Sequence, residues 1–197
     1  MESRHDRARV PAIDPEPEEI MSAASAAPAV VPESNPLHTI SVLVRNQPGV
    51  LVRVALVFAR RGYNIESLVV SPDPTDAGFS RMTITCRGAA DTLEQMIRQV
   101  AKLVDVVHAI DHTGQSVVET EIALIKLQAE VGERTEILQI AEHYKAKVVD
   151  CGTDSLILRV TGGSEKLDSF ISLLRPFGLV ELVRSGKILM TRGPETT

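Results

Sequence analysis

Aromatic residues are scarce in this 197-residue sequence, which has no tryptophan, two tyrosines and four phenylalanines. Proteins that bind single-stranded nucleic acid stack bases on aromatic side chains next to a positively charged surface. The formal net charge is −5, so an overall positive charge is lacking as well. We therefore expect no nucleic-acid partner.

Long apolar runs are also missing, because none approaches the roughly 18 residues that span a bilayer. Residues 1–36 contain seven acidic residues, and the prolines and glutamates of 15–19 interrupt any apolar signal segment. This composition argues against a secretory or mitochondrial targeting signal, which is the alternative for such a segment. We predict that residues 1–36 form a disordered tail on a cytoplasmic protein without membrane contact.

Only two cysteines are present, Cys86 and Cys151, and both lie in apolar segments with strand-like patterns. Two thiols do not form the disulfide scaffold of a small secreted domain. We predict two reduced thiols in the protein core, and the sequence leaves a disulfide between them open.

Motifs for catalysis and cofactor binding are absent: there is no Gly-x-Gly-x-x-Gly, Walker loop, Cys-x-x-Cys or His-Glu-x-x-His. His108 and His112 come nearest to a metal pair, with Asp105 or Asp111 as further ligands. They fall on a predicted strand and just beyond it, where four residues span over roughly 10 Å at about 3.3 Å per residue. We expect no catalytic residue, no metal site and no cofactor on this chain.

The predicted elements follow the order strand, helix, strand, strand, helix, strand, and this order occurs twice, over 37–113 and 119–193. The apolar residues alternate in the predicted strands and recur every three to four residues in the predicted helices. Two successive βαββαβ units indicate an α+β protein with two tandem ferredoxin-like domains.

Local signals refine these two units. A capping box, Asp91-Thr-Leu-Glu94, is predicted to start the second helix of the first unit, and Ser164 to cap the corresponding helix of the second. Ser185-Gly186 favours a bend in the last predicted strand, 179–191. Several strands are apolar on both faces, as at Leu124-Ile125, so we expect self-association or a partner to cover the second face or the edges of the sheets.

The stretch Asn46-Gln47-Pro48-Gly49-Val50-Leu51 joins the first predicted strand directly to the first predicted helix. The first amides of a helix have no partner within it, and the helix dipole favours an anion there. A carboxylate would accept hydrogen bonds from these amides and would carry the charge that the dipole favours. Gly49 has no side chain and would let the ligand approach the backbone, and the Asn46 side chain offers both a donor and an acceptor. The loop is therefore a candidate amino-acid site, and the alternative is an ordinary strand-to-helix turn.

This loop resembles the ligand loop of ACT domains, which are small amino-acid-sensing modules of ferredoxin-like fold. Longer stretches resemble the small regulatory subunit of acetolactate synthase, also called acetohydroxyacid synthase. The most specific stretch is Arg61-Gly-Tyr-Asn-Ile-Glu-Ser-Leu68, and the resemblance covers roughly residues 37–193. The other stretches that carry it are 41–44, 80–84, 103–106, 125–128, Ser185-Gly186 and Arg192-Gly193.

The resemblance implies a non-catalytic subunit that activates a large catalytic subunit and confers feedback inhibition by valine or another branched-chain amino acid. In that family the large subunit carries thiamine diphosphate, Mg2+ and FAD. The resemblance places valine in a homodimer, between the loop Asn46–Leu51 of one chain and Asn64 and Ile65 of the other. The remaining alternative is a stand-alone ACT protein that binds an amino acid and regulates another enzyme or transcription.

Overall fold

The computed structural model describes residues 36–130, 132–194 and 196–197, so the predicted disordered tail lies almost entirely outside the described residues. The elements of the first half are β1 (Leu37–Arg45), α1 (Val50–Arg60), β2 (Ile65–Pro72), β3 (Phe79–Arg87), α2 (Ala90–Val100) and β4 (Val106–Asp111). Their strands form an antiparallel sheet in the order β2-β3-β1-β4, in which β2 and β4 are the edges.

The second half repeats this arrangement. Its elements are β5 (Val117–Gln128), α3 (Arg134–His143), β6 (Lys147–Cys151), β7 (Ser155–Gly162), α4 (Ser164–Leu174), β8 (Leu179–Arg184) and β9 (Ile188–Thr191). The sheet has the order β6-β7-β5-β8, and β9 pairs with the first residues of β5. The predicted class, two ferredoxin-like βαββαβ domains, is thereby confirmed. The predicted bend at Ser185-Gly186 separates β8 from β9.

Each sheet buries one face against its own pair of helices. On β1 the alternating residues Ile40, Val42 and Val44 point into the first core, where α1 and α2 pack against them. A strand places every second side chain on one face, and a helix places residues three and four apart on one face. The helical residues buried in the two cores are Val50, Val54, Phe58, Leu93, Met96, Val100, Ile137, Ala141, Leu167, Phe170, Ile171 and Leu174.

The α-helices in the described part of the chain have 10 or 11 residues each, and none is long and apolar enough to cross a membrane.

Both predicted side-chain caps are wrong. The hydrogen bonds of α2 already begin at the Ala89 carbonyl, which accepts from Leu93, so Asp91 lies within the first turn. Ser164 is the first residue of α4, and its hydroxyl donates to the carboxylate of Glu121 instead of capping the helix. A buried carboxylate is costly without hydrogen-bond donors, so the Ser164 hydroxyl bonds to Glu121 and is not available to cap the helix.

The second face of the N-terminal sheet is covered by the same chain. Gly186 lies against β2, and Leu189 lines cavities together with residues of β1 and β3. The chain itself therefore covers part of this face, and burial of the remaining face or of the edges by another molecule stays a prediction. The buried residues that point away from its helices are Thr39, Ser41, Thr83 and Thr85. On the corresponding face of the C-terminal sheet, Ile122, Leu124 and Val183 are exposed.

The two cysteines lie in different surroundings, and neither forms a disulfide. Cys86 is buried on β3, where desolvation, with smaller contributions from Asp111 and Glu66, raises the pKa of its thiol to about 11. Cys151 is exposed at the end of the edge strand β6, so the prediction of a core thiol is wrong there. An edge strand has one side open to solvent, and a short apolar segment in the sequence does not show whether its strand will lie at the edge or in the centre of the sheet.

Iodoacetamide is therefore expected to modify one thiol per native chain, at Cys151, and two thiols after unfolding. The thiolate is the reactive form, and Cys86 is both buried and held protonated. Mass spectrometry of the intact protein measures the number of labels, and Cys151→Ser is the control that should take none in the native state. Labelling of Cys86 in the folded protein as fast as Cys151 would contradict this expectation.

Candidate functional site

The loop between β1 and α1 is held by backbone and side-chain hydrogen bonds to the turn before β3. The Asn46 amide donates to the Gly78 carbonyl at 2.7 Å, and its side-chain Nδ2 donates to the Ala77 carbonyl at 3.2 Å. Gly49 has a φ of 85°, a left-handed conformation that glycine adopts without strain. Residues 46–49 are all exposed, so their backbone is open to a ligand.

The start of α1 presents unpaired amides next to this loop. No side chain caps the helix, and the amides of Leu51 and Val52 have no acceptor among the described residues. The Val50 amide donates to the Gln47 carbonyl at 3.3 Å, and its side chain belongs to the core, so only its backbone is available to a ligand. Two free amides at the positive end of a helix dipole favour a carboxylate.

A positive charge lies beside the same amides. Arg53, in the first turn of α1, forms an ion pair with Asp105, with 2.7 Å between Nη2 and Oδ2. Its other terminal nitrogen would lie 3.4 Å from a Cβ at position 49, so the guanidinium borders the loop. Sequence reasoning assigned neither residue to this site: Asp105 was considered only as a metal ligand beside His108, and an exposed arginine on a helix carries no distinguishing pattern.

Asn64 and Ile65 lie at the opposite end of the sheet from the loop. Ile65 is opposite Cys86 on β3, and Cys86 is opposite His38 near the start of β1, whereas Asn46 follows the end of β1. An extended chain rises about 3.3 Å per residue, so the eight residues from His38 to Asn46 cover about 26 Å. A single chain therefore does not bring the two predicted halves of the site together.

Comparison with known proteins identifies the family. A family model for the AHAS small subunit-like ACT domain matches residues 40–108, and one for the small subunit of acetolactate synthase matches 120–193. A probable acetolactate synthase small subunit of Archaeoglobus fulgidus is 46% identical over 79% of this chain and 97% of that protein. The chain belongs to the acetolactate synthase small-subunit family.

Other members of the small-subunit family extend this match. The acetolactate synthase small subunit of Mycobacterium leprae is 40% identical over 81% of this chain and 94% of that protein. The crystal structure of the small subunit from Thermotoga maritima has a TM-score of 0.73 and 36% identity, and it covers 81% of this chain and 99% of that chain. The loop 46–51 and the start of β2 both fall inside the ACT match.

Of the histidines in the described residues, His112 is buried and His108 is half-buried, whereas His143 is exposed. His108 is opposite Leu43 on β1, and its Nε2 has no hydrogen-bond partner among the described residues. His112 uses both ring nitrogens: Nε2 lies 2.7 Å from Oγ of Ser41, and Nδ1 lies 3.1 Å from Oε1 of Gln115. Within the described residues, no three His, Cys, Asp or Glu side chains are grouped so that they could hold a metal ion.

Proposed function

We propose that this chain is the regulatory subunit of an acetolactate synthase, which it activates and makes sensitive to feedback inhibition by valine. Membership of the small-subunit family supports a large catalytic subunit as the partner. The single observation that supports the ligand site is the pair of unpaired amides at Leu51 and Val52, bordered by Arg53. Thiamine diphosphate, Mg2+ and FAD would then belong to the large subunit, and this chain would need none of them.

The loop is chemically suited to a free amino acid. The amides at the start of α1 would bind the carboxylate, and the side-chain amide oxygens of Asn46 and Asn64 would accept from the ammonium group. Leu51 is exposed beside the loop, and Ile65 is half-buried at the start of β2, so both can enclose an aliphatic side chain. Burial of the valine isopropyl group would contribute about 1.5–3 kcal/mol.

A homodimer would complete the site. β2 is an edge strand, so one side of its backbone has no strand partner among the described residues. Two β2 strands paired antiparallel about a two-fold axis bring the start of one beside the end of the other. The end of β2 lies near the loop, because Pro72 is opposite Ser80 and Ser80 is opposite Val44. Asn64 of one chain would thereby approach the loop 46–51 of its twin.

Inhibition then follows from linkage. Valine lowers the activity of the holoenzyme only if it binds the less active state more tightly than the active one. Typical coupling free energies between two such sites are about 1–3 kcal/mol. Bound at a dimer interface, the ligand would act by changing how the two N-terminal domains sit against each other.

Reconstitution of the large subunit with the full chain tests this function. We expect the large subunit alone to be weakly active and insensitive to valine, and the mixture to be more active and inhibited by valine. Leucine and isoleucine titrations establish which branched-chain amino acid is preferred. A chain that binds valine by calorimetry but leaves the large subunit unchanged would instead be a stand-alone ACT regulator.

A further inference from the structure

The turn between β8 and β9 is a bulge directed at the N-terminal domain. Arg184 is opposite Ala123 on β5 and Ile188 is opposite Thr120, so three residues of the turn face two residues of β5. An extra residue of this kind bends the strand locally and redirects its backbone. Here it directs Gly186, whose φ is 79°, toward β2.

The contact between the two domains at this point has no room for a side chain. A Cβ at Gly186 would lie 2.6 Å from Cβ and 2.7 Å from Oγ of Ser67 on β2, and 3.6 Å from Cγ2 of Val69. Backbone of the C-terminal domain thus rests directly on side chains of the N-terminal domain. Close-packed contacts of this kind transmit displacement instead of absorbing it.

The turn is fixed to the C-terminal domain on both sides. The Ser185 amide donates to the Ile122 carbonyl at 2.9 Å, and the Ile122 amide donates to Oγ of Ser185 at 3.0 Å. The turn therefore moves only together with β5, the central strand of that sheet. The ion pairs that flank the turn are Arg184–Glu121 and Lys187–Glu119.

On the other side of the contact, Ser67 belongs to β2, which begins at the candidate ligand residue Ile65, directly after Asn64. It follows Asn64 by three residues, which is about 10 Å along an extended strand. Its Oγ lies 2.6 Å from Oγ1 of Thr85, so it is also tied to β3. A ligand that binds Asn64 and Ile65 and shifts the start of β2 would therefore displace Ser67, which is two residues further along the same strand.

We propose that the contact of Gly186 with Ser67 is the junction that transmits occupation of the amino-acid site to the C-terminal domain. This inference rests on the proposed function, because it takes the ligand to bind at the start of β2. It also assigns a role to Ser185-Gly186, which is part of the family resemblance but lies far from the loop 46–51. The C-terminal domain thereby becomes a receiver of the signal from the N-terminal domain.

Four variants of the full chain separate contact from backbone strain. Gly186→Ala overpacks the junction, and Ser67→Gly opens it without touching the turn. The double variant moves the Cβ from one partner to the other and should restore the contact. Gly193→Ala is the matched control, since Gly193 has a φ of 87° and a Cβ there would meet no atom within 4 Å.

Hydrogen–deuterium exchange with and without saturating valine is the direct readout. In the wild type and in Gly193→Ala, valine should change exchange at the start of β2 and also in 179–187. In Gly186→Ala and in Ser67→Gly the change should remain in the N-terminal domain, and the double variant should recover the change in 179–187. In the reconstituted holoenzyme, the half-inhibitory valine concentration should rise by about fivefold or more in both single variants.

The outcomes distinguish this inference from the function on which it rests. If wild-type protein binds no valine by calorimetry, the proposed ligand site is wrong, and the proposed role of the Gly186–Ser67 contact is then wrong as well. If valine binds but Gly186→Ala and Ser67→Gly behave as the wild type in 179–187, the junction alone is wrong. An equal loss of response in Gly193→Ala would also overturn it, because strain and not contact would then be the cause.

Discussion

Replacement of Arg184 by methionine is expected to lower the free energy of unfolding by about 3–5 kcal/mol. The Glu121 side chain is 6% exposed, and Arg184 donates to its Oε2 from Nε at 2.9 Å and from Nη2 at 2.5 Å. Burial disfavours the charged guanidinium, but the hydrogen bonds to Glu121 and Asp168 outweigh it and raise the pKa of Arg184. Methionine would leave a buried carboxylate with Ser164 as its remaining donor. Urea unfolding of the full chain, followed by circular dichroism, measures the loss.

Replacement of Glu121, alone and together with Arg184, tests whether the loss comes from the unpaired charge or from the changed packing. Glu121→Leu should cost less than Arg184→Met, because Arg184 is 29% exposed and keeps Asp168 and solvent as partners. The double variant should recover part of the loss, since it leaves no buried charge unpaired. Arg159→Met, at an exposed position of β7, is the matched control and should be nearly neutral. Losses that simply add in the double variant would show that the two residues do not act as a pair.

Replacement of Asn64 by alanine is expected to raise the valine concentration for half-inhibition by about 10–100-fold. A hydrogen bond to a charged group contributes about 1.5–3 kcal/mol, and each 1.4 kcal/mol is a factor of ten. Asn64 is exposed and has no role in the core, so activation of the large subunit should persist. Inhibition curves of the reconstituted holoenzyme provide the measurement, with calorimetry on the variant chain as a direct check of binding.

Asn46→Ala should weaken inhibition in the same direction, but it removes two roles at once. Its Nδ2 also donates to the Ala77 carbonyl, so alanine would loosen the loop as well as remove a ligand contact. Asn64→Ala is therefore the cleaner variant, and Gln95→Ala, at an exposed position of α2, is its matched control. Equal valine sensitivity of Asn64→Ala and wild-type holoenzymes would reject the proposed site.

Much of the fold could be predicted because each element carries its own periodicity. The alternation of Ile40, Val42 and Val44 and the helical spacing of Leu51, Val54, Ala55 and Phe58 identified β1 and α1 without any knowledge of their neighbours. Within that helical pattern one residue was misplaced, because Val50 is buried and Leu51 is exposed. Predictions that depended on a single polar residue were weaker. Ser164 has the chemistry of a helix cap, but a carboxylate 43 residues earlier in the chain takes its hydroxyl.

The candidate site shows the same division. The free amides at the start of α1 follow from its position after a strand and a glycine, and both can be read from neighbouring residues. Arg53 with Asp105 could not be found in this way, because their proximity depends on where β4 is placed in the sheet. Nor could sequence spacing show that Asn64 and the loop 46–51 lie at opposite ends of one sheet.

By itself, the sequence determined the two βαββαβ units, the unusual strand-to-helix loop and the family, because all three are encoded in residues close together along the chain. Only the tertiary structure decided what covers the second face of the N-terminal sheet and where Gly186 meets Ser67. Contacts between distant segments depend on strand order, register and a bulge, which are collective results of packing. No local pattern of side chains specifies them.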